Sequence, residues 1–291
     1  GGMLITVDYF LTSAISAVSG MQYLGSLFPF VDAHIVLLAG SALVFLALVN
    51  VIGIRESAVL SLFMACAALL VNLVVIGVTL FYIGPPEWST LLHHLRPEHP
   101  LPWSVFLIGF GSAWLAFSGL ESISQLSPAM RIPTKSTARK GMLLVVASIL
   151  LTSPLLTLFS VALLPDAVKL HESERFISEL GALWGGLPAS VLLLFAANTA
   201  IIGGYHVFLA LAARGFLPIV VTIRNQRFGT PHLAIAITTI VPIIVIAFTA
   251  GQLTILGDMY AFGLLGAFVL SSTGVDVIRW RQHQRGLGFW V

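Results

Sequence analysis

A line of oxygen-bearing side chains lies in the first apolar stretch of this sequence, where polar groups are costly. Asp8, Thr12 and Ser16 recur every four residues, so in a helix they share one face, which Tyr9 extends. An ionisable residue inside a membrane segment marks, by default, the path of a solute or ion. The spacing therefore predicts a substrate or ion site on one face of a membrane helix. The alternative is a set of hydroxyls that join neighbouring helices, with Asp8 as a helix-start charge at the interface.

A second group of polar residues lies in the apolar run from Gly109 to Ser122. Gly119 stands there between Ser118 and Glu121. Glycine is the residue at which a helix unwinds at least cost, and a serine three residues before an acid places two oxygens on one face. We predict a helix that is broken at Gly119, with Glu121 at the substrate site and also carrying a coupled proton. The alternative is a glutamate at the cytoplasmic end that pairs with Arg131.

Several further residues have two interpretations each. Tyr260 is either a site residue or part of an interfacial aromatic belt. Gly203–Gly204 and His206 favour close helix packing over proton transfer. Cys66, the single cysteine, is expected to be a small buried hydrophobe, which leaves no disulfide framework. Residues 84–102 contain three histidines, and no cysteine completes a ligand set, so we expect a solvated loop and no metal site.

The composition requires a membrane protein. The chain has 291 residues, of which 58% are hydrophobic and 9% are charged, far too few charges for a soluble surface. The net charge of +2 is too small to argue for a nucleic acid partner. Because a crossing helix needs roughly 20 apolar residues, we expect about eight transmembrane helices. The eight predicted spans are 4–29, 34–53, 57–83, 103–126, 141–164, 187–212, 232–250 and 254–278.

The cations divide unequally between the two sides that these spans define. Alternate connections, beginning with the one that holds Arg55, contain eleven of the fourteen lysines and arginines. By the positive-inside rule these connections are cytoplasmic. The sequence thus predicts a multi-pass protein of the cell membrane with a cytoplasmic C-terminus. Residues 165–186 are expected to form short amphipathic helices on the outer surface.

Several segments together resemble one known family. They are Val7–Thr12, Asn50–Ala58, Phe117–Glu121, Ala196–Thr199, Ala212–Pro218 and Arg227–Pro231. The set is similar to the amino acid/polyamine/organocation permeases. The resemblance implies an all-α, LeuT-like inverted-repeat carrier in which this chain corresponds to about the third to tenth helices. We therefore expect residues 1–291 to be a single transmembrane permease domain, truncated at both ends and unable to transport alone.

Within that superfamily the chain is most similar to bacterial proton-coupled potassium importers. The resemblance implies a potassium site built from the following residues: Asp8, Tyr9, Thr12, Ser16, Ser118, Glu121 and Tyr260. Their carboxylate, phenol and hydroxyl oxygens suit a hard cation. A proton-coupled amino acid permease is the alternative, and a non-transporting scaffold is less favoured.

An enzyme is not expected, because the sequence contains no nucleophile elbow, metal triad or phosphate loop. We expect no cofactor, and no metal other than a transported potassium ion. The expected partners are membrane lipid, the solute and a proton. The oligomeric state stays open, with a homodimer as one alternative.

Overall fold

The computed structural model describes residues 2–25, 28–94, 102–113, 123, 130–171, 176–183 and 194–282. Within these ranges the regular structure is helical and contains no β-strand. The α-helices are α1 Gly2–Gly25, α2 Pro29–Asp32, α3 Ile35–Ile52, α4 Ile54–Tyr82, α5 Pro85–His94, α6 Trp103–Ala113, α7 Thr134–Leu163, α8 Asp166–His171, α9 Phe176–Leu183, α10 Leu194–Ala213, α11 His232–Phe248 and α12 Leu253–Arg281. A short 3-10 helix, Ile219–Thr222, lies between α10 and α11.

Five of the described helices are long and apolar enough to cross a membrane. They are α1, α3, α4, α7 and α12. Two shorter apolar helices, α10 and α11, and the described part of α6 fall at the other three predicted spans. Helices suit this environment because they satisfy their backbone hydrogen bonds internally, where lipid offers none. The all-α membrane architecture expected from the sequence is confirmed.

Helix α1 lies at the centre of the main packed unit. It packs most extensively against α10, and also against α12, α11 and α3. One face of α1, including Ala14 and Val18, is fully buried in an apolar core with Leu43 of α3 and Ile235 of α11. The first predicted polar helix is therefore surrounded by other helices.

A second apolar cluster joins α4 and α7 to the short helices α5 and α9. Phe159 of α7, Leu91 of α5 and Leu180 of α9 are among its buried members. Helix α9 also reaches the end of α1, where the Tyr23 hydroxyl shares a hydrogen bond with the backbone of Ile177. The predicted short helices within 165–186 are present as α8 and α9.

Two expectations were wrong. Residues 85–94 form a helix where a loop was expected, because Pro85 suits a first helical turn and the Glu87 carboxylate accepts a hydrogen bond from the Gly84 backbone N–H at 2.9 Å. Cys66 is exposed and not buried. An apolar side chain gains no more from packing inside a membrane bundle than from lipid, so an apolar context alone does not predict burial.

Candidate functional site

The neighbours of α1 divide its surface into distinct faces. One edge meets α12: a Cβ atom built on Gly263 would lie 3.9 Å from Leu11, and one on Gly266 would lie 3.5 Å from Leu4. Another edge meets α10, where the Tyr9 ring packs on Gly203. Glycines bring both neighbours close to α1, as small residues do between membrane helices.

The predicted polar stripe lies between these two edges. At about 100° per residue, Asp8, Thr12 and Ser16 follow one another across the sector between the Leu11 edge and the Tyr9 edge. Asp8 is 1% exposed and Ser16 is 8% exposed, while Thr12 is half-buried. The stripe lies on a different side of α1 from Ala14 and Val18, which pack into the apolar core.

Hydroxyl groups near Asp8 have unused hydrogen-bonding capacity. The hydroxyl oxygens of Thr12 and Ser13 are buried, and neither has a hydrogen-bond partner among the residues that the structure describes. A buried hydroxyl without a partner is costly, so such groups commonly face water, an ion or a ligand. Thr12 thus offers an oxygen atom about one turn after Asp8 on the same face of α1, whereas Ser13, five residues after Asp8, lies on a different side of the helix.

Tyr9 is held tightly between α1 and α10. Its side chain is 2% exposed, and its phenol oxygen would lie 2.7 Å from a Cβ atom built on Gly203. A Cβ atom on Gly204 would lie 2.9 Å from Thr238 of α11 and 3.5 Å from the Tyr9 Cβ atom. Only a residue without a side chain permits this approach, so the glycine pair determines where the Tyr9 phenol lies.

Tyr260 lies inside the helix bundle. It is 1% exposed and packs with Leu11 of α1, beside Ile15 and Val245. On the same helix, Phe262 is 82% exposed and directed outward. The Tyr260 side chain therefore lies between α12 and α1, and not on the outer surface of the bundle.

The structure describes part of the predicted site. Asp8, Tyr9, Thr12 and Ser16 lie on α1, and Tyr260 lies on the adjacent α12. Ser118, Gly119 and Glu121 lie outside the described residues. No group of three or more His, Cys, Asp or Glu residues that could hold a metal ion occurs in the described ranges.

Some buried polar residues were not predicted as site residues. Thr6, Ser19 and Gln22 are buried on α1, and Ser19 follows Ser16 by three residues on the polar side of the helix. Continuing the i, i+3 and i, i+4 pattern past Ser16 would have found Ser19. The same spacing leads from Ser19 to Gln22, whereas Thr6 lies outside the pattern and carried no such signal.

His206 follows the packing interpretation. Its ring stacks on Tyr205 with the centroids 4.6 Å apart, and its Nδ1 atom lies 2.8 Å from the Ile202 carbonyl oxygen. This contact spans one helical turn, so Nδ1 carries the hydrogen and donates to the carbonyl. One ring nitrogen of His206 is thus hydrogen-bonded within its own helix.

A central polar helix enclosed by apolar helices of membrane-crossing length defines a polytopic membrane protein. A family model described as amino acid permease matches residues 2–291, and the chain belongs to this family. The expected membership of the amino acid/polyamine/organocation superfamily, with its LeuT-like fold, is confirmed.

A curated relative gives the comparison more detail. The chain is 28% identical to the potassium transporter KimA of Bacillus subtilis (strain 168) over 300 aligned positions, which include the whole of this chain. The alignment covers 49% of the relative, so the chain spans about half the length of that protein.

Proposed function

We propose that residues 1–291 are part of the transmembrane permease domain of a secondary transporter that imports potassium together with protons. The observation that carries the proposal is the Asp8 carboxylate, 1% exposed on the most enclosed helix and flanked by hydroxyls. Burial of a carboxylate at this depth is expensive and is retained where a cation or proton compensates for it.

The chemistry of the stripe suits an alkali cation. Potassium leaves its hydration shell only where several oxygen atoms replace the water. In the proposed site Asp8 would supply one negative charge, and Thr12, Ser16 and the phenol of the buried Tyr260 would supply neutral oxygen atoms. The likeness to a potassium transporter supports this assignment of the solute.

Proton coupling is assigned to Glu121. With Ser118 and the helix break at Gly119, it completes the proposed ion site from a second helix. A carboxyl group there could take up a proton on one side of the membrane and release it on the other. The proposed orientation places the arginine-rich connections and the C-terminus in the cytoplasm. The proposed location is the plasma membrane, and a homodimer is one proposed assembly.

A proton-coupled amino acid permease is the second candidate, because the matching family model is described as amino acid permease. An amino acid would place its carboxylate on the N-terminal ends of half-helices and its amine on a protein carboxylate such as Asp8. Competition distinguishes the two candidates. In an amino acid permease, excess potassium would not inhibit amino acid uptake. In a potassium importer, excess amino acid would not inhibit potassium uptake.

Uptake by the full-length protein in proteoliposomes tests the proposal. We expect labelled rubidium to enter when the outside is acidic, and Asp8→Asn to abolish that flux because the site loses its charge. Asp166→Asn is the matched control, since Asp166 is exposed on α8 and paired with Lys169 at 3.0 Å. Glu121→Gln should leave a rubidium flux that no longer responds to the pH gradient.

Amino acid uptake that is indifferent to potassium would refute the potassium assignment. Unchanged rubidium flux in a well-folded Asp8→Asn protein would refute the site itself. Elution of the variant as a single species on size exclusion separates a lost site from a lost fold.

A further inference from the structure

The connection between α10 and α11, residues 214–231, combines arginines with exposed apolar side chains. Arg214, Arg224 and Arg227 are all exposed, and the sequence contains no acidic residue between Glu179 and Asp258. Five large apolar residues of the connection are also exposed. They are Phe216, Ile219, Val220, Ile223 and Phe228, with exposed fractions between 41% and 70%. We call residues 214–231 the basic connection.

Local hydrogen bonds give the basic connection a defined shape. Helix α10 ends at Ala213, and the φ of 77° at Gly215 permits the Phe216 backbone N–H to donate to the Leu211 carbonyl at 2.9 Å. Further along, the Asn225 side-chain oxygen accepts hydrogen bonds from the backbone N–H groups of Arg227, at 2.8 Å, and Phe228, at 3.3 Å. These hydrogen bonds fix the backbone of the basic connection, and in this conformation its large apolar side chains are exposed.

Two anchors attach the basic connection to the helix bundle. Val221 of the 3-10 helix is 7% exposed, so this turn buries one side and exposes Ile219 and Val220 on the other. At the far end, the Thr230 hydroxyl donates to the Val51 carbonyl of α3 at 2.6 Å. The segment is a fixed surface of the bundle.

Two of the arginines are held beside the exposed apolar residues. The Arg224 guanidinium donates to the Gly229 carbonyl at 3.3 Å, and the Arg227 guanidinium lies 5.3 Å from the centre of the Phe228 ring. A guanidinium over an aromatic ring keeps free N–H groups directed outward for an anion. The surface thus offers cationic donors next to side chains that favour hydrocarbon.

The position of the segment identifies its partner. The helices that it joins, α10 and α11, are both apolar, so it lies where they leave the membrane. Arginines interleaved with Phe, Ile and Val are the composition of segments that lie in the headgroup region. We propose that the basic connection is a docking surface for the headgroups of anionic phospholipids, with its apolar side chains among the upper acyl chains and its arginines on the phosphates.

The proposal concerns lipid and not the transported solute, so its test is independent of the rubidium experiment. In the full-length protein, Cys66 and any cysteine outside residues 1–291 are replaced by serine, and a Val220→Cys variant is labelled with a fluorophore and reconstituted in vesicles. Cys66 must be replaced because it is exposed. Brominated phosphatidylglycerol and brominated phosphatidylcholine are compared as quenchers at the same low mole fraction. Equal lipid composition in both leaflets makes the orientation of the protein irrelevant.

We expect the anionic lipid to quench about two- to five-fold more strongly than the neutral one, since an arginine at the membrane surface contributes about 1 kcal/mol, or about five-fold, toward an anionic lipid. Arg224→Gln with Arg227→Gln should bring the two lipids to equal quenching. A label at Phe248→Cys, 88% exposed at the other end of α11, is the control and should show no lipid preference.

Two results would overturn the proposal. Equal quenching by both lipids in the unaltered segment would mean that it contacts lipid without selecting anionic headgroups. Quenching by neither lipid would mean that another part of the protein, or a second copy, covers the surface.

Discussion

The contact between Gly203 and Tyr9 yields a quantitative prediction. A methyl group at residue 203 would overlap two carbon atoms of the Tyr9 ring and lie 2.7 Å from its oxygen, closer than van der Waals contact allows. Tyr9 is 2% exposed, so the ring has no free space into which it could move. Gly203→Ala should therefore destabilise the protein by about 1–3 kcal/mol, the usual cost of overpacking a filled interior.

A matched control separates this contact from the general effect of alanine in a helix. Gly77 lies in α4 with no atom within 4 Å of a Cβ built on it, so Gly77→Ala adds a methyl group without overlap. The second arm of the test is Gly203→Ala combined with Tyr9→Leu, which removes the overlapping ring atoms. If the overlap causes the loss, the two substitutions together should cost less than the sum of their separate costs.

The free energy of unfolding of the full-length protein in mixed detergent micelles measures these differences. Transport provides a second measurement, because a displaced Tyr9 phenol should raise the KM for the solute even in protein that remains folded. If the Gly203→Ala protein had the same stability and KM as the Gly77→Ala protein, the packing argument would be refuted. Strictly additive costs in the double variant would locate the damage elsewhere than in the Tyr9 ring.

Two further predictions follow from single hydrogen-bonding groups. Tyr260→Phe keeps the packing against Leu11 but removes the phenol oxygen, so rubidium uptake by folded protein should fall several-fold. Equal uptake would remove Tyr260 from the site. Thr230→Val removes the hydroxyl that donates to the Val51 carbonyl. This carbonyl lies in the last turn of α3 and has no partner within its helix, so the substitution should cost about 1 kcal/mol of unfolding free energy. Thr273→Val, which loses a 2.7 Å bond within an exposed turn of α12, is the control, and an equal cost for both variants would contradict the assigned role of Thr230.

Sequence periodicity predicted the features that depend on one helix. The four-residue spacing of Asp8, Thr12 and Ser16 placed them on one face, and the structure places that face between two helix contacts. The glycine pair before Tyr205 indicated close packing, and Gly203 does contact the aromatic ring of another helix. Periodicity within a helix is a local property, so the residues themselves determine it.

Features that depend on which helices are neighbours could not be predicted in this way. Tyr260 had equal reasons to be a belt residue or a site residue, because its burial depends on α12 packing beside α1, some 250 positions earlier in the sequence. The error at Cys66 has the same origin, since an apolar helix in lipid gives no sign of which of its sides is covered.

The distribution of burial among the long helices supports the assignment of α1 as the helix that lines the path. Helix α1 has the lowest mean hydropathy of the five, yet 56% of its apolar window is buried, against 11–22% in the others. In water the most polar helix would lie at the surface, whereas in lipid the more apolar helices surround it, because hydrocarbon cannot hydrate a carboxylate or hydroxyl. A polar residue introduced on the outer side of an outer helix would instead face lipid. This arrangement supports the proposal that the oxygen atoms of α1 line the path of the solute.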